Sequence, residues 1–352
     1  MKIGISCHAL KHGGGMERYS MDLVDGLHEL GIRPTVFAKK FDESLPQYAQ
    51  VDAQRIRVGA LPGKLRDHAF AFLLKRRQAR AGIDVLIACN RVVSSQIAIC
   101  GGTHLGFLRA MKREPSWFDR WMIALERRHL AHARVVVAHA RLMEAELLEL
   151  YGLSPEKIRV IYPPVAAARF RPVDAPRRAA LRKSLGLPED RVVFAFPSSS
   201  HERKGFDLLR EYFGSTDLPV TLAVAGRPVS QGLRNVVYLG FRKDMEQVYQ
   251  AADYTVLASL YEPFGLVGVE SVLCGTPVLL ASNMGCGEVI ADDAKEEFTP
   301  QDIASLDAAV RRALARAESG EARLHKPRAS LLYPIDRTEH VRQVLATVGA
   351  CP

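Results

Sequence analysis

Short apolar runs alternate with amphipathic helical patterns along almost the whole chain, and this alternation constrains the fold more than any other feature. Residues 2–6 form the first apolar run, and residues 16–30 then repeat apolar side chains at helical spacing before Gly31, a residue that ends helices. Strands that alternate with helices predict parallel sheets covered by helices on both faces. The other predicted strands are 34–38, 84–89, 96–100, 134–139, 191–196, 220–225, 236–239, 254–258 and 277–281, and the other predicted helices are 205–213, 244–252, 265–274 and 302–317.

The chain is long enough for two hydrophobic cores, since it has 352 residues. A boundary is predicted at Tyr162-Pro163-Pro164, because two successive prolines stop both strand and helix and make a stiff hinge. We therefore predict two Rossmann-like α/β domains over residues 1–163 and 164–330, followed by a last segment over residues 331–352. The apolar runs are too short for a membrane-spanning helix.

The net charge of +9 comes entirely from the first half of the chain. Residues 1–165 hold 25 Lys and Arg against 16 Asp and Glu, whereas residues 166–352 hold 23 of each kind. The excess is densest in residues 55–82 and 103–134, and in the second stretch the cations are interleaved with Phe107, Trp117, Phe118 and Trp121. Such a surface favours anionic partners, which include lipid headgroups, phosphorylated glycans and nucleic acid.

Cysteine spacing indicates neither a disulfide framework nor a zinc site. The chain contains no Cys-x-x-Cys pair, and no histidine cluster accompanies the cysteines at zinc spacing. We expect reduced, mostly buried thiols in a cytoplasmic protein, and no metal site. The cysteines are Cys7, Cys89, Cys100, Cys274, Cys286 and Cys351.

A run of glycines follows the first predicted strand and precedes the first predicted helix. Gly13, Gly14 and Gly15 let backbone amides approach a ligand closely, and the positive end of the helix dipole favours a phosphate there. A tight turn with no ligand is the alternative. A nicotinamide-dinucleotide fingerprint would need glycine at the sixth position, which Arg18 occupies. The second strand ends in Ala38-Lys39-Lys40, whose lysines suit a 2′-phosphate, so an NADP enzyme stays open as a minor alternative.

Adjacent cations follow the strand predicted at 191–196. The segment Ser198-Ser199-Ser200-His201-Glu202-Arg203-Lys204-Gly205 stands at the carboxyl end of that strand, where open parallel sheets bind ligands. Arg203 and Lys204 are suited to hold a diphosphate. A solvated surface pair is the alternative interpretation.

Two glutamates flank the start of the helix predicted at 265–274. Glu262 comes just before it and is expected to be held by amides at the helix start or by sugar hydroxyls. Glu270 lies in the second turn, about 7–8 Å further along the axis at 1.5 Å per residue. This spacing suits a ligand with hydroxyls at both ends and phosphates between them, which is the shape of a nucleotide sugar. Two unrelated glutamates are the alternative.

These motifs together resemble the retaining glycosyltransferases of family 4, which have the GT-B fold. Glu262 and Glu270 are preceded by Ala251-Ala252-Asp253 and followed by Cys274-Gly275-Thr276-Pro277-Val278. The segments Gly14-Gly15-Met16-Glu17, Arg203-Lys204-Gly205 and Leu239-Gly240-Phe241 also match the family. The resemblance covers the second half well and the first half at its ends, and bacterial lipopolysaccharide core enzymes look most similar.

The resemblance implies a role for each matching residue. It places the transfer site in a cleft between the domains, with the acceptor on the first, the nucleotide sugar on the second, and residues 331–352 crossing back to the first. The catalytic residues implied are Glu262 on the donor sugar hydroxyls, Arg203 and Lys204 on the leaving diphosphate, and His104 facing the transferred sugar. The donor-binding residues implied are Gly14, Gly15, Ser199, Phe241, Phe264, Gly265, Leu266 and Glu270, the last of which holds the ribose.

We therefore expect a retaining, metal-independent hexosyltransferase. No Asp-x-Asp metal motif occurs in the sequence, so the two cations are expected to replace a metal at the diphosphate. The expected donor is a UDP-sugar, and the expected acceptor is a lipid-linked or lipopolysaccharide-core glycan at an anionic membrane surface on the cytoplasmic side. No cofactor and no nucleic-acid partner are expected. A nucleotide-sugar epimerase of the same fold and a non-enzymatic nucleic-acid-binding protein remain as alternatives.

Overall fold

The computed structural model describes residues 1–350, and these divide into two compact units. The first unit runs from Met1 to Ala166 and also contains the segment that begins at Pro334. The second unit runs from Ala167 to Tyr333.

The first unit is built on a seven-stranded parallel sheet with the strand order β5-β3-β1-β6-β7-β8-β9, and β2 and β4 form a separate two-stranded parallel sheet. The strands are β1 (Ile3–Ser6), β2 (Ala9–Leu10), β3 (Thr35–Ala38), β4 (Lys40–Phe41), β5 (Asp52–Arg55), β6 (Val85–Ala88), β7 (Ile97–Cys100), β8 (Val135–Ala138) and β9 (Ile158–Val160). The helices are α1 (Gly15–Glu29), α2 (Pro46–Ala49), α3 (Arg66–Ala81), α4 (His104–Ala110), α5 (Trp117–His132) and α6 (Arg141–Tyr151).

The strands predicted from apolar runs are confirmed in the first unit, because they are the ones buried on both faces. All four residues of β1, β3, β6, β7 and β8 are buried. The two edge strands were not predicted. Polar residues of β5 are exposed, and β9 alternates buried and exposed positions over only three residues, so neither forms an apolar run.

The second unit has a six-stranded parallel sheet with the order β12-β11-β10-β13-β14-β15. The strands are β10 (Val192–Ser198), β11 (Val220–Gly226), β12 (Val236–Tyr238), β13 (Tyr254–Leu257), β14 (Val278–Ala281) and β15 (Lys295–Phe298). The helices are α7 (Ala175–Ser184), α8 (His201–Lys204), α9 (Phe206–Ser215), α10 (Met245–Ala251), α11 (Leu266–Leu273) and α12 (Ile303–Glu318).

Charged segments account for the elements that were not predicted here. Helix α7 lies in a basic stretch without an apolar stripe, and it starts because the Asp174 carboxylate accepts a hydrogen bond from the Arg177 amide. Strand β15 contains Lys295 and two glutamates and therefore lacks an apolar run. The strands and helices predicted from apolar periodicity in this half are confirmed within a few residues at each end.

The last helix, α13 (Arg337–Ala346), packs on α1 in the first unit. The Arg337 guanidinium forms ion pairs with Asp25 at 2.7 Å and with Glu29 at 2.6 Å. His340 is buried, and burial lowers its pKa to about 4. Its neutral ring donates from Nδ1 to the Tyr162 carbonyl and accepts from the Tyr19 hydroxyl at Nε2, which joins α13 to both α1 and the segment before the prolines.

The described residues can be compared with the predictions about cysteines and about membrane-spanning helices. The cysteines within residues 1–350 are buried and unpaired, as predicted, whereas Cys351 lies outside the described part. None of the helices within the same residues is long and apolar enough to cross a bilayer.

The contact between α1 and α13 depends on a glycine, and this leads to a stability prediction. A Cβ atom on Gly26 would lie 2.9 Å from the Arg337 carbonyl oxygen and 2.8 Å from Val341 Cγ2. We expect Gly26→Ala to lower the free energy of unfolding by about 1–3 kcal/mol through overpacking. Urea denaturation followed by circular dichroism would measure this change.

Gly214 offers a matched control, because it is also helical but has no atom within 4 Å of its Cβ position. We expect Gly214→Ala to be neutral or to stabilise by about 0.4–1 kcal/mol, since alanine restricts the unfolded chain. Equal effects of the two substitutions would contradict a tight α1–α13 contact.

Candidate active site

The cations predicted to bind a diphosphate lie at the switch point of the second sheet, where the order of the strands reverses. Strand β10 lies between β11 and β13, so the chain proceeds outward from this point to both edges. The carboxyl ends of two such strands form the crevice in which open α/β sheets bind ligands. Helix α8, which carries Arg203 and Lys204, follows β10, and Glu262 follows β13.

A glycine allows these two loops to approach each other. Gly205 has a φ of +73°, and a Cβ atom there would lie 2.0 Å from the Ala258 carbonyl oxygen just after β13. Only glycine tolerates both that backbone conformation and that distance. The Leu260 amide donates to the Arg203 carbonyl oxygen at 2.9 Å, and this hydrogen bond holds the two loops together.

Arg203, Lys204 and Glu262 form one ion cluster. Arg203 Nη1 lies 3.0 Å and Lys204 Nζ lies 2.5 Å from the same oxygen, Glu262 Oε2. Burial alone would raise the pKa of Glu262, but Lys204 and Arg203 outweigh burial and lower it. The two cations, rather than amides at the start of α11, therefore hold this carboxylate, because full charges interact more strongly than helix dipoles in a largely dry site.

The backbone at the start of α11 is shaped by a second glycine. Gly265 has a φ of +93°, and its Cβ position would contact Glu262 Cγ at 3.2 Å and Cys286 Sγ at 3.3 Å. Phe264 is buried, and its carbonyl oxygen accepts from the Cys286 amide at 2.7 Å. Leu266 is the first residue of α11. The first-turn amides of this helix consequently begin next to the ion cluster.

The remaining donor-binding candidates of the second unit differ in exposure. Glu270 is buried in the second turn of α11, and its Oε2 accepts from the Tyr249 hydroxyl of α10 at 3.3 Å. Ser199 is exposed at the end of β10. Phe241 is 79% exposed just after β12, so its ring is open to stacking by a flat ligand.

The glycine loop of the first unit lies at the start of α1, as predicted. Gly14 is the residue before the helix, and its carbonyl oxygen accepts from the Arg18 amide at 3.1 Å. The Cβ position of Gly14 lies 3.3 Å from Glu17 Oε2, whereas Gly15 has no atom within 4 Å of its own. A carboxylate thus already lies beside the positive end of α1, where a phosphate was expected.

His104 is held at both its backbone and its ring. Its amide donates to Glu126 Oε2 at 2.9 Å, and its Nε2 lies 2.8 Å from Asp119 Oδ1. A hydrogen bond from Ser116 and a second one with His104 lower the pKa of Asp119 to about 2. His104 is therefore fixed as the first residue of α4, which the Thr103 hydroxyl caps.

Glu126 anchors this part of the first unit, and sequence reasoning did not identify it. Its carboxylate is buried on α5 and accepts from Arg91 Nε at 2.8 Å, from the His104 amide and from the Tyr151 hydroxyl. The available signal is a lone carboxylate among apolar neighbours such as Leu125 on the buried face of a helix, since such a group needs several donors.

Comparison with known proteins matches both halves of the chain to glycosyltransferase families. The family model for "Glycosyltransferase Family 4" matches residues 13–169, and the family model for "Glycosyl transferases group 1" matches residues 177–325. A probable transglycosylase of Burkholderia thailandensis is 55% identical over 352 residues, which cover 98% of this chain and 96% of the relative. A D-inositol 3-phosphate glycosyltransferase of Streptosporangium roseum is 26% identical, over 83% of this chain and 79% of the relative.

Solved glycosyltransferase structures share the fold. WaaG, a glycosyltransferase involved in lipopolysaccharide biosynthesis, superposes with a TM-score of 0.82 at 18% identity, over 99% of this chain and 100% of WaaG. HepE of Anabaena, solved with UDP and glucose, superposes with a TM-score of 0.77 at 19% identity, over 99% of this chain and 100% of HepE.

The two Rossmann-like units have the GT-B fold, and the family models that match both halves make the chain a glycosyltransferase. The chain belongs to glycosyltransferase family 4. The fold class and the family resemblance predicted from the motifs are both confirmed.

Proposed function

We propose that this glycosyltransferase transfers a hexosyl group from a nucleotide sugar with retention of configuration, and that the second unit binds the donor. The observation that carries the proposal is the cluster of Arg203, Lys204 and Glu262 at the second switch point. Negative charge grows on the diphosphate as the glycosidic bond breaks. Cations fixed at that place stabilise the transition state more than the ground state.

The cluster has enough hydrogen-bonding capacity for a donor. Glu262 Oε2 receives both cations, so Oε1 is left to accept from hydroxyls of the donor sugar. An arginine has five N–H donors and a lysine has three, which exceeds what Glu262 and the Tyr261 carbonyl oxygen use. The remaining donors serve the diphosphate, together with the first-turn amides near Phe264, Gly265 and Leu266.

A UDP-sugar is the proposed donor. HepE, which shares the fold, was solved with UDP and glucose, and this supports a uridine nucleotide for the present chain. Phe241 stands exposed beside Gly240 at the end of β12, where we place the base. Glu270 is proposed to hold the ribose, Ser199 to contact the diphosphate, and Gly14, Gly15 and His104 to serve the transferred group from the first unit.

The proposed acceptor is a lipid-linked or lipopolysaccharide-core glycan that the first unit binds. WaaG is described as acting in lipopolysaccharide biosynthesis, and the first half of this chain carries all of the excess positive charge. The experiment that tests the function measures nucleoside diphosphate release from UDP-, GDP- and ADP-sugars, with and without a bacterial core glycan. Release that depends on glycan and is fastest with a UDP-sugar is the expected result, whereas glycan-independent conversion of the sugar would contradict transfer.

The site assignment predicts the effect of two substitutions on turnover. We expect Glu262→Gln and Lys204→Ala each to lower kcat by about 100-fold or more, because each removes a group that acts on the donor sugar or the leaving diphosphate. Glu318→Gln and Lys326→Ala are matched controls, since both side chains are exposed in the same unit. Turnover within about threefold of wild type in both site variants, with folding confirmed by circular dichroism, would refute the assignment.

Metal independence is the second prediction of this proposal. The sequence contains no Asp-x-Asp motif, and the paired cations supply the positive charge that a metal supplies elsewhere. We expect dialysed enzyme to keep its initial rate in excess chelator. Loss of the rate on dialysis and its recovery with magnesium or manganese would show that a metal neutralises the diphosphate.

The first unit also supports a peripheral membrane role on the cytoplasmic face. His68 of α3 stacks on Trp121 of α5 with 3.9 Å between ring centroids, so the two helices meet there. Phe72 lies one turn after His68 and is 59% exposed, and Trp117 lies one turn before Trp121 and is 68% exposed. Phe107 and Phe118, by contrast, are partly buried and less available to lipid than the sequence suggested.

A cation lies over the exposed ring of Phe72. The Arg76 guanidinium lies 4.5 Å from the Phe72 ring centroid. Each cation near an anionic surface contributes about 1 kcal/mol, and aromatic rings favour the headgroup boundary. The exposed cations on the two helices and the turn between α4 and α5 are Arg66, Lys75, Arg76, Arg77, Arg80, Lys112, Arg113, Arg120, Arg127 and Arg128.

We therefore predict binding to vesicles that contain anionic lipid, no binding to neutral vesicles, and release by about half-molar salt, because salt screens surface charges over roughly 8 Å already at physiological strength. Trp117→Ser should weaken binding in a flotation assay, whereas Leu332→Ser should not, since Leu332 is equally exposed in the second unit. Equal binding to neutral and anionic vesicles would rule out the electrostatic role.

A further inference from the structure

The first sheet has a switch point of its own. Strand β1 lies between β3 and β6, so the carboxyl ends of β1 and β6 form a ligand-binding crevice by the same rule that applies to the second sheet. His8 follows β1, and Asn90 and Arg91 follow β6. A cavity of about 180 Å³ lies here, lined in part by these three residues and by Gly101, Gly102 and Glu126.

The polar wall of this cavity is rigid. Arg91 Nε donates to Oε1 of the buried Glu126 at 2.8 Å, and Arg91 Nη2 lies 2.7 Å from that same Oε1. Asn90 is buried and accepts from the Ser6 hydroxyl at 2.6 Å. A fixed wall of this kind recognises a ligand without losing side-chain entropy on binding.

His8, which lines the cavity, contacts a second charged pair behind it. Its Nδ1 lies 3.3 Å from Lys39 Nζ and 3.8 Å from Asp67 Oδ1, and Lys39 and Asp67 are themselves paired. Burial and the nearby Lys39 lower the pKa of His8, so its imidazole is neutral; Nδ1 accepts from the Lys39 ammonium, and Nε2 carries the proton and can donate to a ligand.

The charges around the cavity are balanced. Lys39 and Arg91 are the cations that act on His8, and Asp67 and Glu17 are the anions. Glu126 adds a further negative charge directly on Arg91. An anionic ligand would therefore lose its hydration without gaining a net attractive field. Hydroxyl groups both donate and accept, and they match fixed pairs of donors and acceptors without adding charge.

We propose that this cavity binds an uncharged sugar unit of the acceptor, and that any phosphate of the acceptor lies outside it, toward the exposed cations of α3 and α5. This proposal rests on the proposed function, in which the first unit binds the acceptor. The proposed acceptor group is uncharged, whereas the names of relatives such as the D-inositol 3-phosphate glycosyltransferase specify a phosphorylated polyol.

Binding can be measured without any donor, so the test is independent of transfer. Isothermal titration of the whole protein would compare methyl glycosides of common hexoses and heptoses with their phosphate monoesters. We expect at least one neutral glycoside to bind wild type about tenfold or more tightly than its monoester, a difference of about 1.4 kcal/mol. Tighter binding of the monoesters, or no binding of any neutral glycoside, would overturn the proposal.

Two substitutions with opposite effects on charge separate recognition from a structural role. Asp67→Asn should weaken binding of the neutral glycoside and strengthen binding of the monoester, whereas Lys39→Gln should weaken both. Asp52→Asn is the control, because Asp52 forms an exposed pair with Arg33 at the amino-terminal end of β5. Parallel losses for both ligands in both site variants would show that the pair only supports the fold.

Failure of the proposed function would have a different signature. If wild type released no nucleoside diphosphate from any donor yet bound neutral glycosides in preference to monoesters, transfer would be refuted and the sugar site would stand. Glycan-dependent release together with preferred binding of monoesters would refute only the neutral site.

Discussion

The close approach of Gly205 to Ala258 is the contact on which the candidate donor site depends. The carbonyl oxygen of Ala258 occupies the space in which any side chain at position 205 would lie. Because of this contact, the loop after β10 and the loop after β13 lie against each other, and Arg203 and Lys204 reach the carboxylate of Glu262. The cluster in turn fixes the charge that a nucleotide sugar would meet at the carboxyl end of the second sheet.

The same sheet topology appears in both units, yet the charges at the two switch points differ. At the second, Arg203 and Lys204 share one carboxylate and leave an excess of positive charge. At the first, the charges of Lys39 and Arg91 are offset by Asp67 and Glu126. This difference in charge is the basis on which we propose a polyol at the switch point of the first unit and a diphosphate at that of the second.

Sequence reasoning succeeded where local pattern and environment agree. The strands buried on both faces were predicted because each is an apolar run, and helices α1, α9, α10, α11 and α12 were predicted from helical patterns. Helices α3 to α6 of the first half were not predicted. Edge strand β5 and helix α7 were missed, because their residues are polar and their existence depends on neighbours and caps. Trp121 was assigned to a membrane surface from its neighbours in sequence, whereas its ring stacks on His68 from a different helix.

The sequence by itself determined the fold class and the family, and it supplied the glycines, cations and glutamates from which we propose the donor site. Only the tertiary structure decided which of these residues pair. Glu262 and Lys204 are 58 positions apart, and no local rule relates them. Glu126 with Arg91, and Lys39 with Asp67, are likewise brought together by sheet order and helix packing. Electrostatic pairing depends on distance in space and on exclusion of water, and neither quantity can be calculated from spacing along the chain.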